Sequence, residues 1–282
     1  MLRIAIQSKG RLYEESMALL EEAGIKIPGG KRTLLVPARN FPVEVLFLRD
    51  DDIPESVASG VTDVGIVGLN EVMEKRCPVG ILKKLGFGKC RLSLAIPQDI
   101  DYLDRNWFSG KKIATSYPGI LSDYLHQNGI VSDIHVITGS VEIAPGIRLA
   151  DAIFDIVSSG STLVSNRLKE VETVVESEAV LIGTDSISPE KRGILDELLF
   201  RFDSVQAADD KKYILMNVPQ KKLNDVLSVL PGIKSPTVMP LADKEWCSVH
   251  TVLDEKCFWE IINRLKTAGA EGILVLDIEK MI

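Results

Sequence analysis

LRIAIQSKGRLYEESMALLEEAGI, residues 2–25, runs in order through a short apolar strand, a turn around glycine, a helix with one apolar face and a closing glycine. KKIATSYPGILSDYLHQNGI, residues 111–130, repeats that plan. Each copy is followed by a strand of small residues introduced by aspartate, TDVGIVGLNEVMEKR from Thr62 and ADAIFDIVSSGSTLVSNRL from Ala150, and both run on into a helical pattern. A unit that occurs twice predicts two similar lobes. Strands alternating with helices predict mainly parallel sheets, in which ligands bind beyond the carboxyl ends of the strands.

The fold class predicted is therefore α/β, a two-lobed body with a cleft, similar in plan to periplasmic binding proteins. Residues 1–95 form the first lobe, to which a segment at about 180–205 returns, and residues 96–180 form the second. The end of the chain changes rhythm. KKYILMNVP reads as a strand, KKLNDVLSVL as a helix, SPTVMPLA and WCSVHTVL as strands, CFWEIINRLKTAG as a helix closed by Gly269, and GILVLDI as a last strand. That order, βαββαβ over residues 211–282, is a ferredoxin-like unit, which serves equally as structural material or as a small-molecule sensor.

Composition narrows the function. The chain has 282 residues, 45% hydrophobic and 26% charged, which marks a globular protein. Its formal net charge is −7 and its longest block of like charge is Asp50 to Asp52, so no nucleic-acid footprint is present and any anion is held locally. Cys77, Cys90, Cys247 and Cys257 are far apart and form no ligand cluster with the three histidines, which argues against a disulfide framework or a zinc site. The first residues turn polar after six positions, and no apolar run nears the roughly 20 residues that span a bilayer. A reduced, cytoplasmic enzyme or sensor without membrane attachment is expected.

DIVSSGSTL, residues 155–163, lies between a strand and the pattern TLVSNRLKEV, which predicts a helix with Ser161 or Thr162 as its N-cap. Unpaired amides and the helix dipole there favour phosphate, Gly160 permits close approach of main chain, and Ser159, Ser161 and Thr162 add hydroxyl donors ahead of Leu163. Asp155 would repel phosphate and is better used on sugar hydroxyls. Acid and cradle together point to a phosphorylated ribose; an ordinary capped turn is the alternative.

The chain resembles the long form of ATP phosphoribosyltransferase along nearly its whole length. RIAIQSKGRL, LRDDDIP (48–54), DVGIVG (63–68), GKCRLSLA (88–95), KKIATSYP (111–118), ADAIFDIVSSGSTL (150–163), SPTVMPL and AEGILVLDIEKM carry the resemblance. It implies an enzyme that joins N1 of the adenine of ATP to C1 of the ribose of phosphoribosyl pyrophosphate, with release of pyrophosphate and with magnesium present. It also implies feedback inhibition by histidine through the tail, and a homo-oligomer that changes between dimer and hexamer. By resemblance the 5-phosphate sits on Ser158 to Thr162 and the ribose hydroxyls on Asp155. The family's glycine-threonine pattern is kept at Gly160 and Thr162, with Ser159 where threonine is common.

Breaking the anomeric bond leaves negative charge on pyrophosphate, so cations and magnesium are required there, the magnesium carried mainly by pyrophosphate itself with no side-chain ligand set apparent. Arg49, Arg11, Lys9 and Arg32 are the candidates. Arg49 ends the alternation VEVLFL at the cleft, although a salt bridge to Asp50 to Asp52 would explain it too; Lys9 and Arg11 occupy the first strand-to-helix turn, and Arg32 precedes a strand. Gly65 and Gly68 would let main chain close on adenine unless they merely allow tight packing, and Tyr117 would stack on the ring. Arg91 and Ser93 are candidates for ATP or for a hinge salt bridge. No general base stands out, and none is needed where N1 is itself the nucleophile; His126 and His135 read as surface and strand residues. Ser235, Thr237 and Gly272 match positions that line the family's histidine pocket, or else shape turns. A solute sensor without turnover and a catalytically idle regulatory subunit remain as alternatives, distinguished by pyrophosphate release.

Overall fold

The computed structural model describes residues 1–28, 33–231 and 236–282. The chain divides into two compact units, Met1–Glu197 and Leu198–Ile282.

In the first unit the order is β1 (Leu2–Gln7), α1 (Arg11–Glu22), β2 (Leu35–Pro37), β3 (Val43–Leu48), α2 (Ile53–Ala58), β4 (Val64–Gly68), α3 (Leu69–Lys75), β5 (Gly80–Lys84), β6 (Cys90–Pro97), β7 (Lys112–Thr115), α4 (Pro118–Gln127), β8 (Asp133–Val136), β9 (Ala152–Val157), α5 (Ser161–Ser165), β10 (Leu168–Ser177) and β11 (Ala179–Gly183). Helix α6 (Pro189–Ala208) runs across the division between the units. The second unit continues with β12 (Lys211–Pro219), α7 (Leu223–Val229), β13 (Thr237–Pro240), β14 (Trp246–Asp254), α8 (Glu255–Ala268) and β15 (Glu271–Asp277).

The repeat is real in three dimensions. Helix α1 ends at Gly24, φ 75°, whose amide donates to Glu21 O while the Ile25 amide donates to Leu20 O. Helix α4 ends at Gly129, φ 68°, with the same two bonds, Gly129 to His126 and Ile130 to Leu125. Both are Schellman closures, in which a left-handed residue lets the chain turn back onto the last carbonyls.

Two sheets form, β2-β3-β1-β4-β11-β5 and β10-β6-β9-β7-β8. Aligned on the repeat, β8-β7-β9-β6-β10 retraces β3-β1-β4-β11-β5. In each, three strands run parallel and the next two antiparallel, which corrects the expectation of mainly parallel sheets. The cause is an exchange of strands: β6 enters the second sheet from the first lobe and β11 enters the first sheet from the second. A strand arriving from the opposite lobe runs against its new neighbours. Residues 90–95, assigned from sequence to the first lobe, therefore pair in the second sheet.

The core lies on the sheet faces. Ile53 and Val57 of α2 pack on Ala5, Val67, Val180 and Ile182 in the first lobe. In the second, Phe108, Ile120, Leu121 and Phe154 fill one face, and Ile153, Val157, Leu163 and Leu168 the other. The second unit has the predicted βαββαβ order and the sheet β13-β14-β12-β15, with α7 and α8 on its buried face through Val226, Phe258, Ile261 and Leu265. Among the described residues no helix is long and apolar enough to cross a membrane.

Candidate active site between the lobes

The parallel strands of both lobes aim their carboxyl ends at one space. Gln7 ends β1, Asp50 follows β3, Gly68 ends β4 and Ser158 follows β9, and all four line a cavity of about 260 Å³. Arg11 and Glu15 of α1 and Asn70 and Glu71 of α3 complete its first-lobe wall. A second space of about 430 Å³ adjoins it and shares Lys89, Cys90 and Ser158.

The loop after β9 is short and exposed. Gly160 takes φ 79° and itself occupies the N-cap position of α5, so the expected hydroxyl cap from Ser161 or Thr162 is replaced by glycine. The hydroxyls of Ser159 and Ser161 instead face one another at 3.0 Å. Helix α5 has only five residues; Arg167 at φ 57° then turns the chain into β10, which corrects the reading of TLVSNRLKEV as one helix. LKEVETVVES carries four β-branched residues, Val171, Thr173, Val174 and Val175, which suit a strand better than a helix. Leu163 is buried in the second-lobe core, so its side chain anchors the loop and faces no ligand.

Asp155 lies on β9 opposite Ser93 of β6 and accepts a hydrogen bond from the Ile156 amide at 2.8 Å. Burial raises its carboxyl to about 6, against that hydrogen bond, and Glu142 adds to the rise. Arg91 behaves as the hinge alternative described: Nε and Nη2 donate to the two oxygens of Glu170 at 2.6 and 2.5 Å. Its Nη1 donates to the carbonyl of Ser158 at 3.1 Å, which ties the loop to β6. Ser93, fully buried, donates to Glu170 at 2.7 Å. The Arg91 guanidinium holds the Glu170 carboxyl down to about 2, with Ser93 and Thr173 contributing. Neither Arg91 nor Ser93 is free to take ATP by its present contacts.

The cations predicted for the leaving group are divided. Arg11 lines the cavity and pairs with Glu15 at 3.1 Å. Arg49 is 76% exposed, pairs with Asp51 at 3.1 Å and stays outside the cavity wall, as the salt-bridge alternative has it. Lys9 lies in the exposed turn before α1, and Arg32 falls outside the described residues.

The adenine candidates separate in the same way. A Cβ on Gly65 would sit 2.6 Å from Ile53 Cγ2, so this glycine serves the packing of α2 on β4 and is corrected as a ligand residue. Gly68 does line the cavity, and its missing Cβ makes room for the Asn70 carboxamide, which would lie 2.4 Å away. Tyr117 is corrected as a stacking platform. It is 8% exposed, its ring packs in the second-lobe core, and its hydroxyl donates to Glu71 at 2.9 Å and accepts from Asn70 at 3.3 Å. Burial raises the Glu71 carboxyl above the usual range, only partly offset by the Tyr117 hydroxyl. Nearby, Glu74 of α3 accepts from the Gly119 and Ile120 amides at the start of α4, at 2.8 and 2.9 Å. The lobes are thus clasped along α3 and α4.

Sequence reading missed Gln7, Glu15, Asn70, Glu71 and Lys89 in the cavity wall. Asn70 and Glu71 had a signal, polar residues one step past the end of a small-residue strand. Among the described residues no group of three or more His, Cys, Asp and Glu side chains is placed to hold a metal ion.

In the second unit Thr237 opens the edge strand β13, paired with His250, and Gly272, φ 55°, opens the opposite edge strand β15. Three strand spacings, about 14 Å, separate these edges, so one copy does not bring Thr237 and Gly272 together. Ser235 lies outside the described residues.

The family model for ATP phosphoribosyltransferase matches residues 49–204, and that for its C-terminal domain matches residues 208–280. ATP phosphoribosyltransferases of Bacteroides fragilis and Phocaeicola vulgatus are each 70% identical over 282 residues, covering all of both chains. Among solved structures, the ATP phosphoribosyl transferase (HisG:HisZ) complex from Thermotoga maritima matches with a TM-score of 0.62 at 27% identity, over 72% of this chain and 98% of that one. With the two-lobed body, the serine-glycine loop at its cleft and the ferredoxin-like tail, these matches make the chain a member of the ATP phosphoribosyltransferase family, long form.

Proposed function

We propose that the chain transfers the 5-phosphoribosyl group of phosphoribosyl pyrophosphate to N1 of the adenine of ATP, the first step of histidine biosynthesis. The observation that carries this reading is the Asp155 to Thr162 segment, which ends β9 at a cavity walled by both lobes. In it the 5-phosphate lies on the amides and hydroxyls of Ser158, Ser159, Gly160, Ser161 and Thr162, and Asp155 accepts from the ribose hydroxyls. ATP enters from the Gly68 side, where Gln7, Asn70 and Glu71 offer hydrogen-bond partners for a purine edge.

N1 donates its lone pair to C1 as the C1–O bond breaks, and that electron pair leaves with pyrophosphate. The alkylated adenine then releases a proton from its amino group to solvent. Magnesium enters as part of the substrate, on the pyrophosphate oxygens. Arg11, already in the cavity wall, neutralises charge on the phosphate chains, with Lys9 and Arg49 at its margin. The enzyme's task is alignment and charge stabilisation.

Histidine feedback is assigned to the second unit. Because Thr237 and Gly272 occupy opposite edges of one sheet, a pocket that uses both draws them from two copies of the chain, which links inhibition to the dimer and hexamer. The purified protein mixed with ATP, phosphoribosyl pyrophosphate and magnesium should release pyrophosphate and form an adenine-modified nucleotide, and histidine should slow it. Binding of either substrate without pyrophosphate release would overturn the enzymatic reading in favour of a sensor.

A further inference from the structure

Four cationic side chains line the two adjoining cavities, Arg11, Lys84, Lys89 and Arg91. Three of them are committed: Arg11 to Glu15 at 3.1 Å, Lys84 to Glu178 at 3.0 Å and Arg91 to Glu170 at 2.5 Å. Lys89 has no ion-pair partner among the described residues. It is also the cation common to both cavities, and it shares that boundary with Ser158, the first residue of the serine-glycine loop.

Its position is fixed by main chain. Gly88 takes φ 62°, and a Cβ there would lie 3.1 Å from Leu12 and 3.6 Å from Ala179, so the crossing from β5 to β6 is pressed against α1 and β11. The Ala179 amide donates to Phe87 O and the Leu85 amide to Ala179 O, both at 2.9 Å, which pins the same crossing to β11. An exposed lysine on a pinned segment keeps a mobile ammonium within a small radius of one point.

We propose that Lys89 is a catalytic residue whose ammonium pairs with the pyrophosphate of phosphoribosyl pyrophosphate as the C1–O bond breaks. This rests on the phosphoribosyl reading above. If the loop from Ser158 holds the 5-phosphate, the second anionic end of the same molecule must find its charge elsewhere along the cavity. An uncommitted cation at the boundary supplies it without first breaking a salt bridge, whereas Arg11 and Arg91 would each have to leave a carboxylate. Its contribution grows as negative charge accumulates on the leaving oxygen.

The test uses the full chain, with two variants and two probes kept separate. Calorimetric titrations with magnesium pyrophosphate and with ribose 5-phosphate compare the parent with Lys89→Met and Lys89→Arg. Lys89→Met should weaken pyrophosphate binding at least about tenfold and lower kcat by a larger factor than it raises the KM for ATP. Ribose 5-phosphate binding, which reports an intact fold and loop, should stay within about twofold, and Lys89→Arg should restore most of the pyrophosphate affinity. Unchanged pyrophosphate affinity and kcat in Lys89→Met overturn the assignment while leaving the phosphoribosyl reading in place. A parent protein that binds neither probe overturns that reading, and the assignment falls with it.

Discussion

Arg91 grips both carboxylate oxygens of Glu170, at 2.6 and 2.5 Å, and spends its remaining nitrogen on the carbonyl that starts the serine-glycine loop. The pair joins β6 and β10, the two strands that carry the chain into and out of the second sheet. Two-pronged guanidinium–carboxylate contacts fix orientation as well as distance. Glu170→Gln removes one acceptor and the charge, and should weaken ribose 5-phosphate binding several-fold, on the order of 1 kcal/mol, with ATP affinity unchanged. Because the Glu170 carboxyl is held down to about 2, its stabilisation is complete above the ordinary carboxylate range and is lost only as pH falls through about 2. The loop anchor should therefore be insensitive to pH from 5 to 9. Equal affinity of parent and Glu170→Gln for ribose 5-phosphate between pH 7 and 9, above the titration of Asp155, would separate the anchor from the loop.

Asp155 behaves in the opposite sense. Its folded carboxyl is raised from 3.8 to about 6 by burial, so the ionised form is the costly one. The favourable contribution is present below the unfolded value and disappears as pH rises through about 6. Asp155→Asn should thus stabilise the fold at pH 7.5 by more than at pH 4, by about 3 kcal/mol at most, while abolishing most turnover. In the parent, the KM for phosphoribosyl pyrophosphate should rise as pH drops below about 6. A stability gain equal at both pH values would show that the carboxyl is not desolvated.

Gly160→Asp should nearly abolish turnover and leave the fold in place. The site has room for a Cβ, whose closest neighbour would be Val157 at 4.0 Å, but φ 79° strains any side chain, by about 1–2 kcal/mol, and the new charge opposes phosphate. Circular dichroism checks the fold. Near-normal affinity for phosphoribosyl pyrophosphate would remove the loop from the phosphate site.

The clasp between α3 and α4 is expected to matter for stability. Glu74→Ala strips the acceptor from two helix-start amides and should cost about 1–2 kcal/mol. Gly119→Ala should act in the same direction, because its Cβ would press on Glu74 Oε1 at 3.0 Å. Chemical denaturation of both variants measures this, and no change in midpoint would show the contact to be passive.

The proposed histidine feedback predicts a pocket that can be split between chains. Thr237→Leu and Gly272→Val proteins should each lose sensitivity to histidine with uninhibited turnover near normal. Refolded or co-expressed mixtures should recover part of it, since some pockets then combine an intact Thr237 with an intact Gly272. Ligand control of this kind works only through differential affinity for the two arrangements. A mixture as insensitive as either variant alone would place both residues in one copy's pocket.

The sequence made the repeat legible because helix ends are local. Gly24 and Gly129 announce their closures in the residues that make them. The exchange of β6 and β11 was hidden, since nothing in CRLSLAIP or AVLIG records which sheet a strand joins; that is decided by long-range pairing. Gly65 and Gly68 look alike in DVGIVG, yet one faces α2 and the other Asn70, because alternate residues of a strand face opposite ways. Tyr117 read as a platform for adenine because its partner Glu71 lies 46 positions away in sequence. Lys89 escaped notice for the converse reason: its significance is the lack of a partner among the described residues, which only the folded chain reveals.

The start of α4 is the counterpart, in the repeated unit, of the turn that brings Gln7 and Arg11 to the cavity. In the first copy that turn is open; in the second, Glu74 has plugged it with a carboxylate. The two helix starts are therefore unequal: that of α4 is capped by a carboxylate from the other lobe, whereas that of α1 stays on the cavity wall. The same carboxylate reaches from one lobe to the helix-start amides of the other, which makes a seam where two repeated halves would otherwise meet only at a hinge.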